Sequence, residues 1–389
     1  MPMRAYYSGS RPQRRRSRSN FGYYLNKYRP QILLVVIAIV LALLVIWAIN
    51  SCVGKKPATV EFDGKEYSTD SKSLDLSGKH IDNLDDLRWF DSLTHLDLSG
   101  AGLTDISGLA ECPSLKVVKL GTLTVKTTTN AEETGVEEEV SSASYDNDIT
   151  DISALSELKG LEELYLSNNR VVDISALSEC ENLRVLDLSG NSVSDISPLA
   201  DLTKMETLLL ADNLCADLSA LRKMAGLKTL NIRNCGACEL SPLEAMTFLT
   251  TLNAENNGID DLAPLAAMSS LKDLNLNGNE ITDLAPLANL TGIRNLDLVF
   301  NQITDISSLA GMTAMYHLDL SNNQIESIAA LSGMSGLQEL QIDYNKVSDL
   351  KPIAELESLK LLSFACNEVS EKDAAAQAAN RPDCDVRFD

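Results

Sequence analysis

The feature that most constrains the fold of this chain is a sequence repeat with a period of 22 residues. Each repeat contains two leucine-type residues separated by one position, and the first members of these pairs are Leu74, Leu96, Val118, Leu164, Leu186, Leu208, Leu230, Leu252, Leu274, Leu296, Leu318, Leu340 and Leu362. Every step is 22 residues except the step from Val118 to Leu164, which is 46 residues. A unit this short cannot bury an apolar face alone, so the sequence predicts stacked coils that share one continuous core.

The residues within one repeat, such as 183–204 (LRVLDLSGNSVSDISPLADLTK), indicate the path of a single coil. The Leu-x-Leu alternation predicts a short strand with two buried leucines and one exposed residue between them. Proline then recurs at one phase, which favours the first turn of a short helical segment, where the missing N–H would have no partner anyway. These prolines are Pro198, Pro242, Pro264, Pro286 and Pro352.

An asparagine recurs five residues after the first leucine of the pair. The set comprises Asn169, Asn191, Asn213, Asn257, Asn279, Asn301, Asn323, Asn345 and Asn367. An amide side chain donates and accepts at once, so we expect these residues to satisfy backbone groups of adjoining coils where the chain turns. Two residues further on, Ile or Val returns to the core, as at Val193 and Ile303.

These in-phase units resemble the leucine-rich repeat family, and in particular the 22-residue subclass of bacterial internalins and certain eukaryotic phosphatase-regulatory subunits. The resemblance covers residues 73–367. It implies an α/β repeat fold, a curved right-handed solenoid whose parallel β-sheet lies on the concave face. Residues 51–72 are then a stalk and N-terminal cap, with a hairpin at 60–67 around an Asp-Gly turn. Residues 368–389 form a C-terminal cap, with a helix at 370–380 and a last strand at 386–388.

Charge and hydropathy divide the chain before the repeats begin. Residues 1–30 hold eight basic residues and no acid, and the formal charge of the whole chain is −22, which leaves −30 for residues 31–389. The apolar run 31–50 is long enough for a transmembrane helix. The positive-inside rule then predicts a single-pass protein of the cell membrane, with a cytoplasmic basic tail that contacts lipid and an extracellular solenoid. A cleaved signal peptide and a lipidated Cys52 are the alternatives to a plain anchor.

The 46-residue step contains 24 extra residues, roughly 121–145. This acidic insertion carries no basic residue near its glutamates, which are Glu132, Glu133, Glu137, Glu138 and Glu139. One interpretation is a tolerated surface insertion or a degenerate repeat. The other is an arm that binds a partner or attracts cations, because function concentrates in long loops on rigid scaffolds.

Exposed strand residues of such a solenoid are the candidate binding surface. On the concave face we expect Tyr165, Asp187, Asn231, Arg233, Asn253, Asn275, Asp297, Phe300, His317, Asp319, Gln341 and Tyr344. Amide and acidic side chains dominate, with an aromatic group (Phe300, His317 and Tyr344) towards the C-terminus. Exposed aromatic residues beside Asn, Asp and Gln suit a protein or glycan partner. The alternative for each residue is a solvated strand position without a ligand.

No motif indicates catalysis, a metal or a cofactor. Only three histidines occur, in different repeats, and no hydrolase, phosphate-binding or zinc-spacing motif is present. Cys112, Cys180 and Cys215 fall at core phases, and Cys235 replaces a repeat asparagine. A disulfide between Cys366 and Cys384 in the C-terminal cap is a weaker hypothesis.

The sequence therefore predicts a binding protein and not an enzyme. The charge of −30 disfavours nucleic acid, because phosphates would be repelled. The first hypothesis is an extracellular adhesion or ligand-binding protein, and the internalin resemblance suggests a Gram-positive surface protein, although the chain has no C-terminal LPxTG sorting signal. The alternative is a structural scaffold that organises membrane or envelope complexes, in which the anchor matters more than the concave face.

Overall fold

The computed structural model describes residues 55–122 and 146–388. Contacts divide the chain between Lys56 and Pro57, and the description below concerns the second unit. The predicted transmembrane segment 31–50 and the glutamates of the acidic insertion lie outside the described residues. Among the residues that are described, no helix is both long and apolar enough to cross a membrane.

A parallel sheet with one short strand from each coil dominates the described residues. An N-terminal hairpin, β1 (Thr59–Phe62) and β2 (Lys65–Ser68), forms a separate antiparallel pair. The sheet contains β3 to β16 in chain order. Its strands are Ser73–Asp75, His95–Asp97, Val117–Lys119, Glu163–Tyr165, Val185–Asp187, Thr207–Leu209, Thr229–Asn231, Thr251–Asn253, Asp273–Asn275, Asn295–Asp297, His317–Asp319, Glu339–Gln341, Leu361–Ser363 and Asp385–Arg387.

The register of this sheet follows the 22-residue period. Leu252 in β10 pairs with Leu230 in β9 and with Leu274 in β11, and all three side chains are buried. The second leucine of each pair is buried as well, as for Leu276. Each buried leucine contributes roughly 1.5–3 kcal/mol to folding. The predicted alternation of buried and exposed strand residues is confirmed, and so is the solenoid with a parallel sheet.

The return segment of each coil is a 3-10 helix, so the predicted short helical segments are present in their tighter form. They span Asp85–Trp89, Ser107–Glu111, Ser153–Glu157, Ser175–Glu179, Ser197–Leu199, Ser219–Lys223, Ser241–Leu243, Ala263–Leu265, Ala285–Leu287, Ser307–Gly311, Ala329–Gly333 and Lys351–Ile353. Before the segment at Ser197, a carboxylate oxygen of Asp195 accepts the Ser197 backbone N–H at 2.8 Å. Pro198 occupies the first turn, as its phase predicts.

The repeated asparagines form a continuous ladder of hydrogen bonds between coils, as predicted. In Asn301, Nδ2 donates to the carbonyls of Leu276 (3.0 Å) and Leu298 (3.1 Å), and Oδ1 accepts the backbone N–H of Ile281 (3.0 Å). One side chain therefore satisfies three backbone groups that the turn would leave unpaired. Where Cys235 replaces asparagine, its thiol donates to the Leu210 carbonyl at 3.1 Å.

Asn147 is a further ladder residue, which lies 22 residues before Asn169 but does not follow a leucine pair by five residues. Its Nδ2 donates to the carbonyls of Leu98 (2.9 Å) and Leu120 (2.8 Å), and its Oδ1 accepts the Leu103 N–H (2.8 Å). Thr122 still belongs to the coil, because its Oγ1 accepts Asn168 Nδ2 at 2.9 Å. The extra residues of the long step therefore enter between Thr122 and Asn147.

Both ends of the solenoid carry the predicted cap elements. In the hairpin, Asp63 and Gly64 adopt positive φ angles of 48° and 72°, and Phe62 packs on Phe90 with ring centroids 6.3 Å apart. At the other end, helix α1 (Glu371–Asn380) begins after Ser370, whose hydroxyl accepts the Asp373 N–H. The last strand, β16, pairs with β15.

The predicted disulfide in the C-terminal cap is wrong. Cys366 and Cys384 are both free thiols, the first exposed and the second half-buried. Packing and charge hold the cap in place of a covalent bond: Phe388 stacks on Phe364 at 5.7 Å, and the Arg381 guanidinium donates to the carbonyls of Ile353 and Ala354. These contacts bring the end of the chain onto the last coil without a cross-link.

Candidate functional site

The exposed side of the parallel sheet, here called the sheet face, collects most of the candidate residues. It consists of the two residues that flank the buried middle residue of each strand, together with the position two residues after the strand. Because side chains alternate along a strand, these positions point away from the core. Most are half-buried, since neighbouring strands bring their side chains close together.

Several predicted binding residues also fix the local backbone. The side-chain oxygens of Asp187, Asn231, Asn253, Asn275 and Asp319 each accept the backbone N–H two residues further on, at 2.9–3.1 Å. Such a side-chain turn holds the chain where it leaves the strand. The amide and acid content of the sheet face therefore has a structural cause, and these side chains stand in fixed orientations.

His317 is held between two carboxylates from neighbouring strands. Its Nε2 lies 2.9 Å from Asp297 Oδ1 and its Nδ1 lies 2.8 Å from Glu339 Oε2. The pKa of His317 is raised to about 9, mainly by the hydrogen bond with Asp297. Burial of the imidazole lowers this pKa in part, and the hydrogen bond with Glu339 raises it further. The imidazole is therefore charged at neutral pH. Burial raises the pKa of the adjacent Asp319.

Other predicted residues of the sheet face form local pairs. The hydroxyl of Tyr165 donates to Glu163 at 3.1 Å, and burial of the ring is the main cause of its raised pKa. Arg233 makes an ion pair with Asp212. Gln341 lies in β14 opposite Asp319, with its side chain half-exposed.

Phe300 and Tyr344 lie at the edge of the sheet face, in a column of turn residues with positive φ. This turn column follows the second leucine by two residues, and its members with positive φ are Gly78, Gly100, Asn168, Gly190, Asp212, Asn234, Asn256, Gly278, Phe300, Asn322, Tyr344 and Cys366. Phe300 and Tyr344 are 65% and 58% exposed. His317 is separate from them, because it lies on a strand and its side chain is only 20% exposed.

The sequence pattern predicts these three aromatic residues as one group, but it does not show that two of them lie in the turn column. Gly, Asn and Asp fill nine of the twelve positions named in the turn column, and this preference is the signal of a left-handed backbone. The exposed Tyr316, which directly precedes β13, was also missed.

Comparison with sequence families identifies the repeats. The family described as Leucine Rich repeats (2 copies) matches residues 142–179, 181–223, 247–289 and 291–333, and a single Leucine Rich repeat matches 92–110. An internalin, InlF, from Listeria monocytogenes has a similar structure, with 29% identity over 84% of this chain and 83% of that one, and a TM-score of 0.68. The chain is an internalin-like leucine-rich repeat protein.

Two further solved structures show how widely this fold occurs. A leucine-rich repeat protein from Leptospira interrogans is 20% identical over 82% of this chain and 96% of that one, with a TM-score of 0.52. The plant peptide hormone receptor RGFR1 is 15% identical over 77% of this chain and 52% of its own, with a TM-score of 0.59. No curated protein sequence matches this internalin-like protein significantly.

Within 55–122 and 146–388, no three His, Cys, Asp or Glu side chains converge as a metal site would require. The buried thiols of Cys112 and Cys180 have pKa values raised to about 11, chiefly by burial, so they remain protonated at neutral pH. The sheet face itself presents hydrogen-bonding groups, charges and exposed aromatic rings to solvent.

Proposed function

We propose that this internalin-like protein binds a protein ligand through its sheet face. The observation that carries the proposal is the fixed geometry of that face: its Asp and Asn side chains are held by turns, and His317 is held by two carboxylates. A surface whose polar groups are already oriented loses little side-chain entropy on association. A continuous parallel sheet of fourteen strands gives such a ligand an extended platform.

The ligand class follows from charge. Other leucine-rich repeat structures include RGFR1 in complex with RGF2 and TLR13 in complex with ssRNA13, so the fold accommodates both a peptide and an RNA in those proteins. Residues 31–389 of this chain carry −30, which opposes the binding of a polyanion. A protein ligand is therefore favoured over nucleic acid, and a glycan is the alternative that the exposed rings of Phe300 and Tyr344 would also suit.

We further propose that the solenoid lies outside the cell, anchored by a transmembrane helix at 31–50. The support is the uncharged apolar run and the eight basic residues that precede it. Protease treatment of intact cells that express the chain with tags at residues 1 and 389 tests this arrangement. Loss of the C-terminal tag alone is expected, whereas protection of that tag would place the solenoid in the cytoplasm and redirect the search for a ligand.

Site-specific photo-crosslinking tests the binding face. A photoreactive residue at Gln341, on the sheet face, should give discrete adducts on intact cells. The same residue at Ser178, in the 3-10 segment Ser175–Glu179, serves as the control and should give none. Adducts of equal yield at both positions would contradict a specific sheet-face ligand.

Exchange of residues 1–50 for an unrelated anchor separates this function from a scaffold role. Adducts at Gln341 should survive the exchange if the sheet face alone selects the ligand. Their loss would show that the anchor region carries the function.

A further inference from the structure

We propose that Phe300 and Tyr344 form the contact site for an extended, cationic segment of the partner protein, with arginine or lysine side chains about three residues apart. This inference rests on the proposed function and specifies the chemistry of the ligand. It depends on three observations: the backbone conformation of the two aromatic residues, their exposure, and the charge of the adjoining sheet face.

The backbone at Phe300 and Tyr344 has φ angles of 55° and 54°, which bulky side chains rarely adopt. Nine other positions of the turn column show that Gly, Asn or Asp serves the same turn without this strain. Aromatic rings in that position are also 65% and 58% exposed, so packing of the ring does not compensate for the strain. An unfavourable backbone combined with an exposed apolar ring indicates a contact with another molecule.

The two rings are separated by one repeat, that of Asn322, and so by two steps of the parallel sheet. Strands lie about 4.8 Å apart, which places the two backbone positions roughly 10 Å apart along the solenoid. A segment in the extended polyproline II conformation has three residues per turn and rises about 3.1 Å per residue, so its side chains three positions apart lie on one side and match this separation.

Charge on the adjoining part of the sheet face selects a cation. Between β11 and β14 the sheet-face positions include five carboxylates and one imidazolium, that of His317, and the carboxylates belong to Asp273, Asp297, Asp319, Glu339 and Asp343. The same positions of β6 to β9 include two carboxylates, Glu163 and Asp187, and one guanidinium, Arg233. Negative charge is thus concentrated beside the two rings.

Guanidinium and ammonium groups bind both features of this site. They form ion pairs with carboxylates and lie over aromatic faces, and arginine does both best because its planar group stacks on a ring while donating in its own plane. Two basic side chains near these strands, Lys272 and Arg294, precede β11 and β12 and therefore lie at the opposite end of the strands from the turn column. On the turn side, Lys346 follows Tyr344 by two residues and is one positive charge against the five carboxylates. A neutral or acidic segment would satisfy the rings but not the carboxylates.

The test uses the full chain in detergent and a fluorescent peptide with arginine at every third position. Its matched control peptide carries citrulline, the neutral counterpart of arginine, at the same positions. The double variant F300N/Y344N removes both rings without changing charge, and asparagine is a common residue of the turn column, so the coil keeps its conformation. F248N is the matched control variant, because Phe248 is 66% exposed in the turn before β10.

We expect F300N/Y344N to bind the arginine peptide about tenfold more weakly than wild type, since two exposed cation–π contacts are lost. F248N should bind as wild type does, and the citrulline peptide should bind weakly to every variant. Equal affinity of F300N/Y344N and wild type, or equal affinity for the two peptides, would overturn the inference. If adducts at Gln341 still form in that case, the sheet face binds a ligand of different chemistry; if they are missing too, the proposed function fails with it.

Discussion

At the scale of single residues, the asparagine ladder concentrates several hydrogen bonds on one side chain. Removal of the amide in Asn301→Ala leaves the carbonyls of Leu276 and Leu298 and the N–H of Ile281 without their partner. Buried, unsatisfied backbone groups are costly, so we predict a loss of about 2–4 kcal/mol in the free energy of unfolding. Urea unfolding of the full chain measures it.

The neighbouring Asn322 supplies the control for that experiment. It lies in the turn column with a φ of 58°, a conformation that glycine adopts readily. Asn322→Gly should change the midpoint of unfolding very little. A loss as large as that of Asn301→Ala would mean that any change at this turn is destabilising, and that the ladder is not the cause.

Phe300 and Tyr344 should respond in the opposite direction. Because asparagine tolerates the left-handed region and aromatic residues do not, Phe300→Asn and Tyr344→Asn should each stabilise the fold by about 1 kcal/mol. Thermal unfolding checks the prediction. A lower melting temperature in both variants would show that the rings contribute to folding and that their conformation has a structural purpose.

His317 makes stability depend on pH in a defined direction. Its pKa in the folded chain is raised from 6.5 to about 9, so the contribution is fully present below about pH 6.5 and is lost as the pH rises through about 9. Relative to His317→Gln, the free energy of unfolding of wild type should fall by about 2 kcal/mol as the pH rises through this range. This value allows for solvent screening of partly exposed groups. If the difference in unfolding free energy between the two proteins stays constant from pH 6 to 10, His317 is not held between Asp297 and Glu339 as described.

The sequence predicts some of these residues and not others, for a physical reason. A ladder asparagine recurs at one phase and does the same work in every coil, so its pattern reveals its role. The hydrogen bonds of His317 with Asp297 and Glu339 depend on partners that lie 20 and 22 residues away and on the rotamers of all three side chains. The rule of five residues after the first leucine does not find Asn147, because the extra residues separate it from Val118. Its spacing of 22 residues from Asn169 and the order Asn147-Asp148-Ile149 do match the other repeats.

At the scale of elements, strands and caps follow from local patterns, whereas the form of the return segments does not. Proline and aspartate mark where each segment begins, but 22 residues leave room for only three to five helical residues, which form 3-10 turns. The C-terminal cap is predicted as a helix and a strand. How it is attached is not, because Arg381 reaches backbone carbonyls 27 and 28 residues away.

Arg381 should therefore control the order of the C-terminal cap. Arg381→Ala removes the donors to Ile353 and Ala354 and leaves those carbonyls without a side-chain partner. We predict faster amide hydrogen exchange in residues 371–388 with little change in β3 to β13. Arg387→Ala, which removes an exposed pair with Asp385, is the control. Unchanged exchange in the cap of Arg381→Ala would mean that the Phe364–Phe388 stack alone is sufficient.

At the scale of the whole molecule, the 24 extra residues should be dispensable for folding. Deletion of 123–146 joins Thr122 to Asn147 and restores the 22-residue step, and Thr122→Asn supplies a residue suited to the turn column. Surface insertions cost little to close, so we predict a melting temperature within a few degrees of wild type. Loss of cooperative unfolding in the shortened chain would show that the inserted residues stabilise the solenoid.

In the described residues each coil packs on the coil before it and the coil after it, and this arrangement determines how the protein would respond to force. Neighbouring coils are joined by the hydrogen bonds of a three-residue strand, which run along the solenoid, and from Asn147 onwards by a ladder side chain as well. Tension applied between the two ends would load these joints in series, and the weakest joint would open first. Each coil that unfolds would lengthen the chain by 22 residues, or by 46 residues for the coil that holds the insertion, while the remaining coils stay folded. A ligand bound to coils that are still folded would stay bound while other coils unfold. The unfolding coils would thereby limit the force that reaches the bound ligand.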